Sequence, residues 1–212
     1  MKACWILLAA VVALGLCLPM FMHAKETHRT TQSLWWKSLG TTCGLILAVA
    51  GAMMQGGNRW LAVAALALCV AADALLEIKF YMGMGLFLGG HLCYIAWFLC
   101  RQELGMVQMI AFLVLAVIGI LLIAHLRPML KGRMIPYSVY AGVLISMCAC
   151  GIGCVTGGTA GILTAVGAVL FLISDVMVCW ETLQSVSRAF DWSAMAVYYA
   201  AQLCLGAAAL LL

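Results

Sequence analysis

The sequence predicts an all-α integral membrane protein in which eight transmembrane helices enclose a polar cavity open to one face, and three observations predict it. Of the 212 residues, 67% are apolar and only 8% are charged, against roughly 25% charged in an ordinary soluble domain. Mean hydropathy is +1.16, so the chain lacks the polar side chains to cover a water-facing surface. Apolar runs of about 20 residues, the length that crosses a bilayer core, recur eight times.

Taken in order, the runs fall at residues 4–22, 34–54, 60–78, 80–100, 106–124, 134–155, 160–181 and 193–212. The first begins after Met1-Lys2 and could be read as a signal peptide. At 19 apolar residues it is longer than a signal core, however, and Met22 does not fit a small-residue cleavage site, so it reads as a span. Between spans lie short polar or Gly/Pro segments, of which Lys79 alone separates the third from the fourth. No room remains for a soluble domain, and residues 1–212 form a single transmembrane unit. Pro19, Pro128 and Pro136 all fall at predicted helix ends or in a connection, so no span needs a proline in its middle.

The 11 Lys and Arg are scattered rather than striped, which excludes nucleic acid as a partner. Their distribution is a topology signal instead. Lys25, Arg29, Lys37, Lys79, Arg127, Lys131, Arg133 and Arg188 lie in or beside the odd-numbered connections, and only Lys2, Arg59 and Arg101 lie on the other side. The positive-inside rule then places the odd connections in the cytoplasm and both termini outside it. The 11 Cys sit mostly within apolar runs, and Cys148, Cys150 and Cys154 have neither CxxC spacing nor a neighbouring His. They read as small packing residues, with no disulfide framework and no metal centre.

An ionisable side chain inside a span costs several kcal/mol and is a functional candidate by default. Counted from the end nearest the odd connections, Lys37 lies three residues deep, Asp73 and Tyr198 five, Asp175 and Tyr140 six, Gln202 nine and His91 eleven. Five helices thus bring a polar group to within roughly 4–9 Å of one membrane face, at about 1.5 Å per residue. That pattern describes a cavity open toward the odd connections with His91 near its floor, to which the first and fifth spans contribute nothing. Tyr94 shares a helix face with His91, and Tyr198 and Tyr199 share one with Gln202. Gly40 with Gly44, and Gly85 with Gly89, have the spacing that lets helix backbones approach closely. Glu77, Glu181, Tyr137 and Arg188 stand near span ends and read as interfacial.

Five runs of residues carry a resemblance. Ala72-Asp73-Ala74-Leu75-Leu76, Gly85 through His91 to Tyr94, Ile135-Pro136-Tyr137 with Tyr140, Gly167-Ala168 through Phe171 to Ser174-Asp175, and Tyr198-Tyr199-Ala200-Ala201-Gln202 occur in this order. Together they resemble the YhhN family, the bacterial and animal group that includes the lysoplasmalogenases. The likeness runs from about Lys37 to Gln202. The family usually has Lys-Pro at the start of its second span, where this chain has Lys37-Ser38.

The resemblance implies hydrolysis of the vinyl-ether bond of a lysophospholipid, lysoplasmalogen, to a fatty aldehyde and a glycerophospho-base, without a cofactor. Asp73 and Asp175 suit that chemistry. In a low-dielectric pocket one carboxyl can stay protonated as acid while its charged partner steadies a cation and takes a proton from water. Lys37 is placed to hold the substrate phosphate, and His91, Tyr94, Tyr140, Tyr198, Tyr199 and Gln202 to orient carboxyls and water. Two alternatives use the same residues. A lipid or solute transporter would run the acids as a proton relay, and a metal-dependent ceramidase-like hydrolase would need about three His where the spans hold one. Expected surroundings are membrane lipids, in a bacterial cell membrane or in the endoplasmic reticulum of a eukaryote.

Overall fold

In a computed structural model describing residues 1–130 and 132–212, the chain is all helical, with no strand among the described residues. Eight helices are long and apolar enough to span a membrane: Lys2–Glu26, Thr30–Gln55, Arg59–Leu76, Phe80–Leu99, Met106–Leu130, Met134–Thr156, Gly158–Leu183 and Arg188–Leu211. Lys131, one of the residues counted for topology, lies outside the described residues. The eight expected runs are all present, but several helices extend beyond them. The fifth continues through His125 to Leu130 and takes in Pro128. The third ends at Leu76, so Glu77, Ile78 and Lys79 together make the turn assigned to Lys79 alone.

Pro19 is the one proline that sits well inside a helix, because the first span runs on to Glu26. A proline lacks the N–H that would bond four residues back, and its ring crowds the carbonyl there. Here that carbonyl belongs to Gly15, within a π-helical stretch at Val11–Cys17 whose wider turn accommodates the break. Gly56 and Gly57, at φ of 66° and 68°, close the turn between the second and third spans in a conformation a Cβ would strain.

The eighth span is the axis of the bundle. It packs on the second and seventh, and less extensively on the third and first. Of its most apolar stretch 72% is buried, against 6% for the fifth, which packs chiefly on the sixth. Small residues permit this. A Cβ on Gly44 would strike the carbonyl of Gln202, one on Gly51 that of Ala209, and one on Gly206 that of Gly44 itself. Backbone meets backbone along the second and eighth spans, as dispersion-driven association in lipid requires. Gly40 meets the Tyr199 ring in the same seam. The pair Gly85 and Gly89 does not serve this purpose. Gly85 faces open space and Gly89 meets only the Leu68 side chain, whereas Gly83 and Gly90, seven residues apart, pack against Leu76 and Ala65.

Charged groups at the odd-connection face tie the first span to the seventh connection. Lys25 donates to Glu181 at 2.6 Å and to Asp191 at 2.9 Å, and Arg188 pairs with Glu26. Glu181, half-buried, and Arg188, exposed, thus belong to an interfacial network, in keeping with their expected position.

Candidate active site

A cavity of about 130 Å³ lies in the half of the bundle nearest the odd connections. Seven spans line it: Lys37 from the second, Asp73 from the third, Phe80 and Phe87 from the fourth, Tyr137 and Tyr140 from the sixth, Ser174 and Asp175 from the seventh, Tyr198 from the eighth. The fifth, expected to contribute nothing, supplies Leu122, Ile123, Leu126 and Leu130. As a result the cavity is not polar throughout. Its lining is mostly apolar, with the polar groups gathered on the walls formed by the other helices.

The two aspartates sit in separate hydrogen-bond networks. Asp73 is fully buried, and its Oδ2 accepts from Thr41 Oγ1 at 2.5 Å and from Tyr198 OH at 3.0 Å. Its Oδ1 is equally buried and has no hydrogen-bond partner among the described residues. Both donors therefore converge on one oxygen and leave the other free. Asp175 accepts at Oδ2 from Tyr140 OH at 2.5 Å. Behind that hydroxyl, His91 Nε2 lies 3.0 Å from Tyr140 oxygen and 3.5 Å from Asp175 Oδ2. Because the Tyr140 proton is committed to the carboxylate, its oxygen is the acceptor and His91 carries its proton on Nε2. His91 Nδ1 is fully buried and has no hydrogen-bond partner among the described residues.

Between the two networks stand aromatic rings. Phe171 lies 5.7 Å from the Tyr198 ring and 4.8 Å from the His91 ring, edge-on to both, and Phe87 packs edge-on against Phe171 and Tyr198. No hydrogen bond joins Asp73 to Asp175 among the described residues, so the pair does not share a proton as two carboxyls in contact would. Each faces the cavity with its own supporting donors. One can hold a proton while the other is charged.

Lys37 lines the cavity beside Asp73 and reaches Glu77 Oε1 at 3.3 Å, so the lysine is less free than a snorkelling side chain. His91 lies behind the wall, reaching it through Tyr140. Tyr94, Tyr199 and Gln202 do not line the cavity. Tyr94 donates to Gln202 Oε1 at 3.3 Å deep in the bundle, and Tyr199 OH bonds the carbonyls of Trp36 and Lys37 at 3.2 Å, which holds the helix carrying the lysine. Thr41 was not among the expected site residues, and Ser174 stood out only as part of the run that ends at Asp175. Thr41 follows Lys37 by four residues and so shares its face. Ser174 is fully buried, adjoins Asp175 and lines the cavity, and its Oγ has no hydrogen-bond partner among the described residues. Among the described residues, no three His, Cys, Asp or Glu side chains converge on a point that could hold a metal ion.

The sequence model of the YhhN family matches residues 32–209. Over 182 residues, the chain is 32% identical to a protein of Rattus norvegicus named lysoplasmalogenase TMEM86B, covering 82% of this chain and 74% of the relative. It is 30% identical over 186 residues to the Homo sapiens protein of the same name, covering 84% and 77%. No solved structure gives a significant match.

Proposed function

The chain belongs to the YhhN family, and from that membership we propose that it is a lysoplasmalogenase-type hydrolase whose acid and base are Asp73 and Asp175. The observation that carries this reading is that two carboxyls from different helices line one cavity in independent networks, with Asp73 Oδ1 unpartnered. A charged oxygen buried without a partner is costly, whereas an O–H there can donate into the cavity. Asp73 is therefore the acid, protonated on Oδ1 while Oδ2 accepts from Thr41 and Tyr198. Asp175, steadied by the Tyr140 hydroxyl, is the anion.

A vinyl ether has its basic site at the β-carbon. Asp73 gives its proton to that carbon and the ether becomes an oxocarbenium ion, its positive charge facing Asp175. Water adds to the cation and passes a proton to Asp175, leaving a neutral hemiacetal and a charged Asp73. As the hemiacetal collapses, Asp73 takes the proton of its hydroxyl and Asp175 returns its own to the departing glycerol oxygen. The aldehyde and the glycerophospho-base leave, and both carboxyls regain their starting states. Protons and charge balance over the cycle, and neither carboxyl needs to exchange a proton with the other. Lys37 holds the substrate phosphate at the cavity rim, and water is confined to the polar wall.

Purified protein in detergent is expected to release fatty aldehyde from lysoplasmalogen at a rate that chelators change by less than about twofold, because no three metal-ligating side chains converge among the described residues. A large loss restored by zinc would turn the reading toward a ceramidase-like hydrolase. Proton-coupled solute uptake by reconstituted protein, without aldehyde release, would turn it toward a transporter. The eight-to-three division of Lys and Arg supports termini outside the cytoplasm, which puts the cavity on the cytoplasmic side. A C-terminal reporter that matures only in the cytoplasm is expected to stay silent; a bright signal overturns this orientation.

A further inference from the structure

The cavity is too small for the molecule it is proposed to act on. A volume of about 130 Å³ holds roughly ten water-sized groups. A long-chain lysophospholipid has several times as many non-hydrogen atoms. Its headgroup can stay in the aqueous rim by Lys37, but the hydrocarbon chain attached to the reacting carbon must leave through a wall. Most of the walls are closed by helices packed on several neighbours. The fifth span is the exception: it packs chiefly on the sixth, and it is the least buried of the eight.

It is attached at several points, with Gln108 packed on Gly153 at the end away from the cavity. Toward the middle, Gly119 rests on Ile145, and near the odd-connection end the His125 ring stacks on Trp180 of the seventh span at 6.3 Å and 10°. Between and beyond them, Leu122, Ile123, Leu126 and Leu130 turn toward the cavity, Leu126 and Leu130 nearly inaccessible and the other two partly exposed. Residues on the other faces of the same helix, such as Leu113 and Leu121, are exposed as lipid-facing side chains are. One thin apolar wall thus separates the two aspartates from the surrounding hydrocarbon.

The geometry points to the inner face of the fifth span as the subsite for the hydrocarbon chain of the substrate, and to the gap beside it as the route by which that chain reaches the lipid. The inference rests on the substrate being a long-chain lysoplasmalogen, and it adds where the chain lies. Such a chain makes no hydrogen bond and needs only apolar contact. It would replace leucine and isoleucine contacts in the closed wall with its own methylenes, and its far end would join the bilayer. The enzyme would then never extract its substrate from the membrane.

The test uses a lysophosphatidylcholine with a diazirine midway along its chain and the wild-type protein in lipid nanodiscs. Light is expected to label Ile123 and Leu126 saturably, with the label competed by unlabelled lysophosphatidylcholine, while Leu113 and Leu121 take only unsaturable label from bulk lipid. Saturable label on the apolar groove of Trp5, Leu8 and Ile46 between the first two spans, or unsaturable label throughout the fifth, overturns the inference. This readout does not depend on hydrolysis. Protein that labels as expected but cleaves no vinyl ether retains the subsite and loses the catalytic reading. Ile123→Trp gives an independent check, since filling the wall should lower the preference for a long-chain over a short-chain vinyl ether about tenfold. An unchanged preference counts against the subsite, and the short-chain rate reports whether the variant has folded.

Discussion

Asp73→Asn is expected to lower aldehyde release from lysoplasmalogen at least about a hundredfold, which corresponds to about 2.7 kcal/mol of lost transition-state stabilisation. The amide keeps the shape of the carboxyl. Its oxygen can accept from Thr41 and Tyr198 as Oδ2 does now, and its NH2 takes the place of Oδ1 at the cavity. An amide N–H does not protonate carbon, so the acid is removed while the packing stays. Asp175→Asn is expected to have an effect of the same order, because Tyr140 would then support a neutral group that neither faces the cation with charge nor takes a proton from water. Folding should survive both, since a neutral amide is easier to hold in a membrane than a carboxylate. Acid and base act as one unit, so the double variant is expected to be little worse than the poorer single one. A well-folded Asp73→Asn protein that keeps most of its activity would refute the assignment and make His91 the next candidate for the acid.

The second expectation concerns the chain from His91 through Tyr140 to Asp175. Tyr140→Phe removes the hydroxyl that donates to the carboxylate and separates His91 from it. A hydrogen bond to a charged group contributes about 1.5–3 kcal/mol, so kcat should fall about thirtyfold while KM changes little. His91→Gln acts chiefly through the same hydroxyl, which lies 3.0 Å from Nε2 against 3.5 Å for the carboxylate. Its effect should be smaller, and most of it should be lost in the Tyr140→Phe background, which a double-mutant cycle would read directly. Equal losses from His91→Gln in both backgrounds would show that the histidine acts on its own.

The parts of the molecule that were legible in the sequence share one property: each sets a polar group against an apolar background. Asp73, Asp175, Lys37, Tyr140 and Tyr198 stood out because their depths agree across five helices that alternate in direction, and these five line one cavity. Depth along a helix is fixed by the rise per residue and can be counted. Apolar residues give no such sign. Leu122 and Ile123, which line the cavity, are the same residue types as Leu121 and Ile120, which do not, so nothing in the fifth span's composition separated its cavity wall from its lipid face. For the same reason Gly85 and Gly89 were indistinguishable from the glycines that do pack closely, Gly83 and Gly90. Thr41 was overlooked because a threonine in a helix ordinarily bonds back to its own backbone. Here the Lys37 carbonyl is 3.5 Å from its hydroxyl and the aspartate 2.5 Å.

The position of the eighth span also bears on how the protein is made. The eighth helix is synthesised after every helix it packs on, and the glycine seam on the second span must wait for it through most of translation. Until it arrives the earlier helices can insert, but Gly44 and Gly51 have no partner backbone, Gly40 lacks the Tyr199 ring, and Asp73 lacks the Tyr198 hydroxyl. Closure of this seam is therefore a late step that follows insertion of the earlier helices. A ribosome that stops short of residue 188 leaves helices that still pack on one another but lack the partner backbone for Gly44 and Gly51 and the Tyr198 hydroxyl on Asp73.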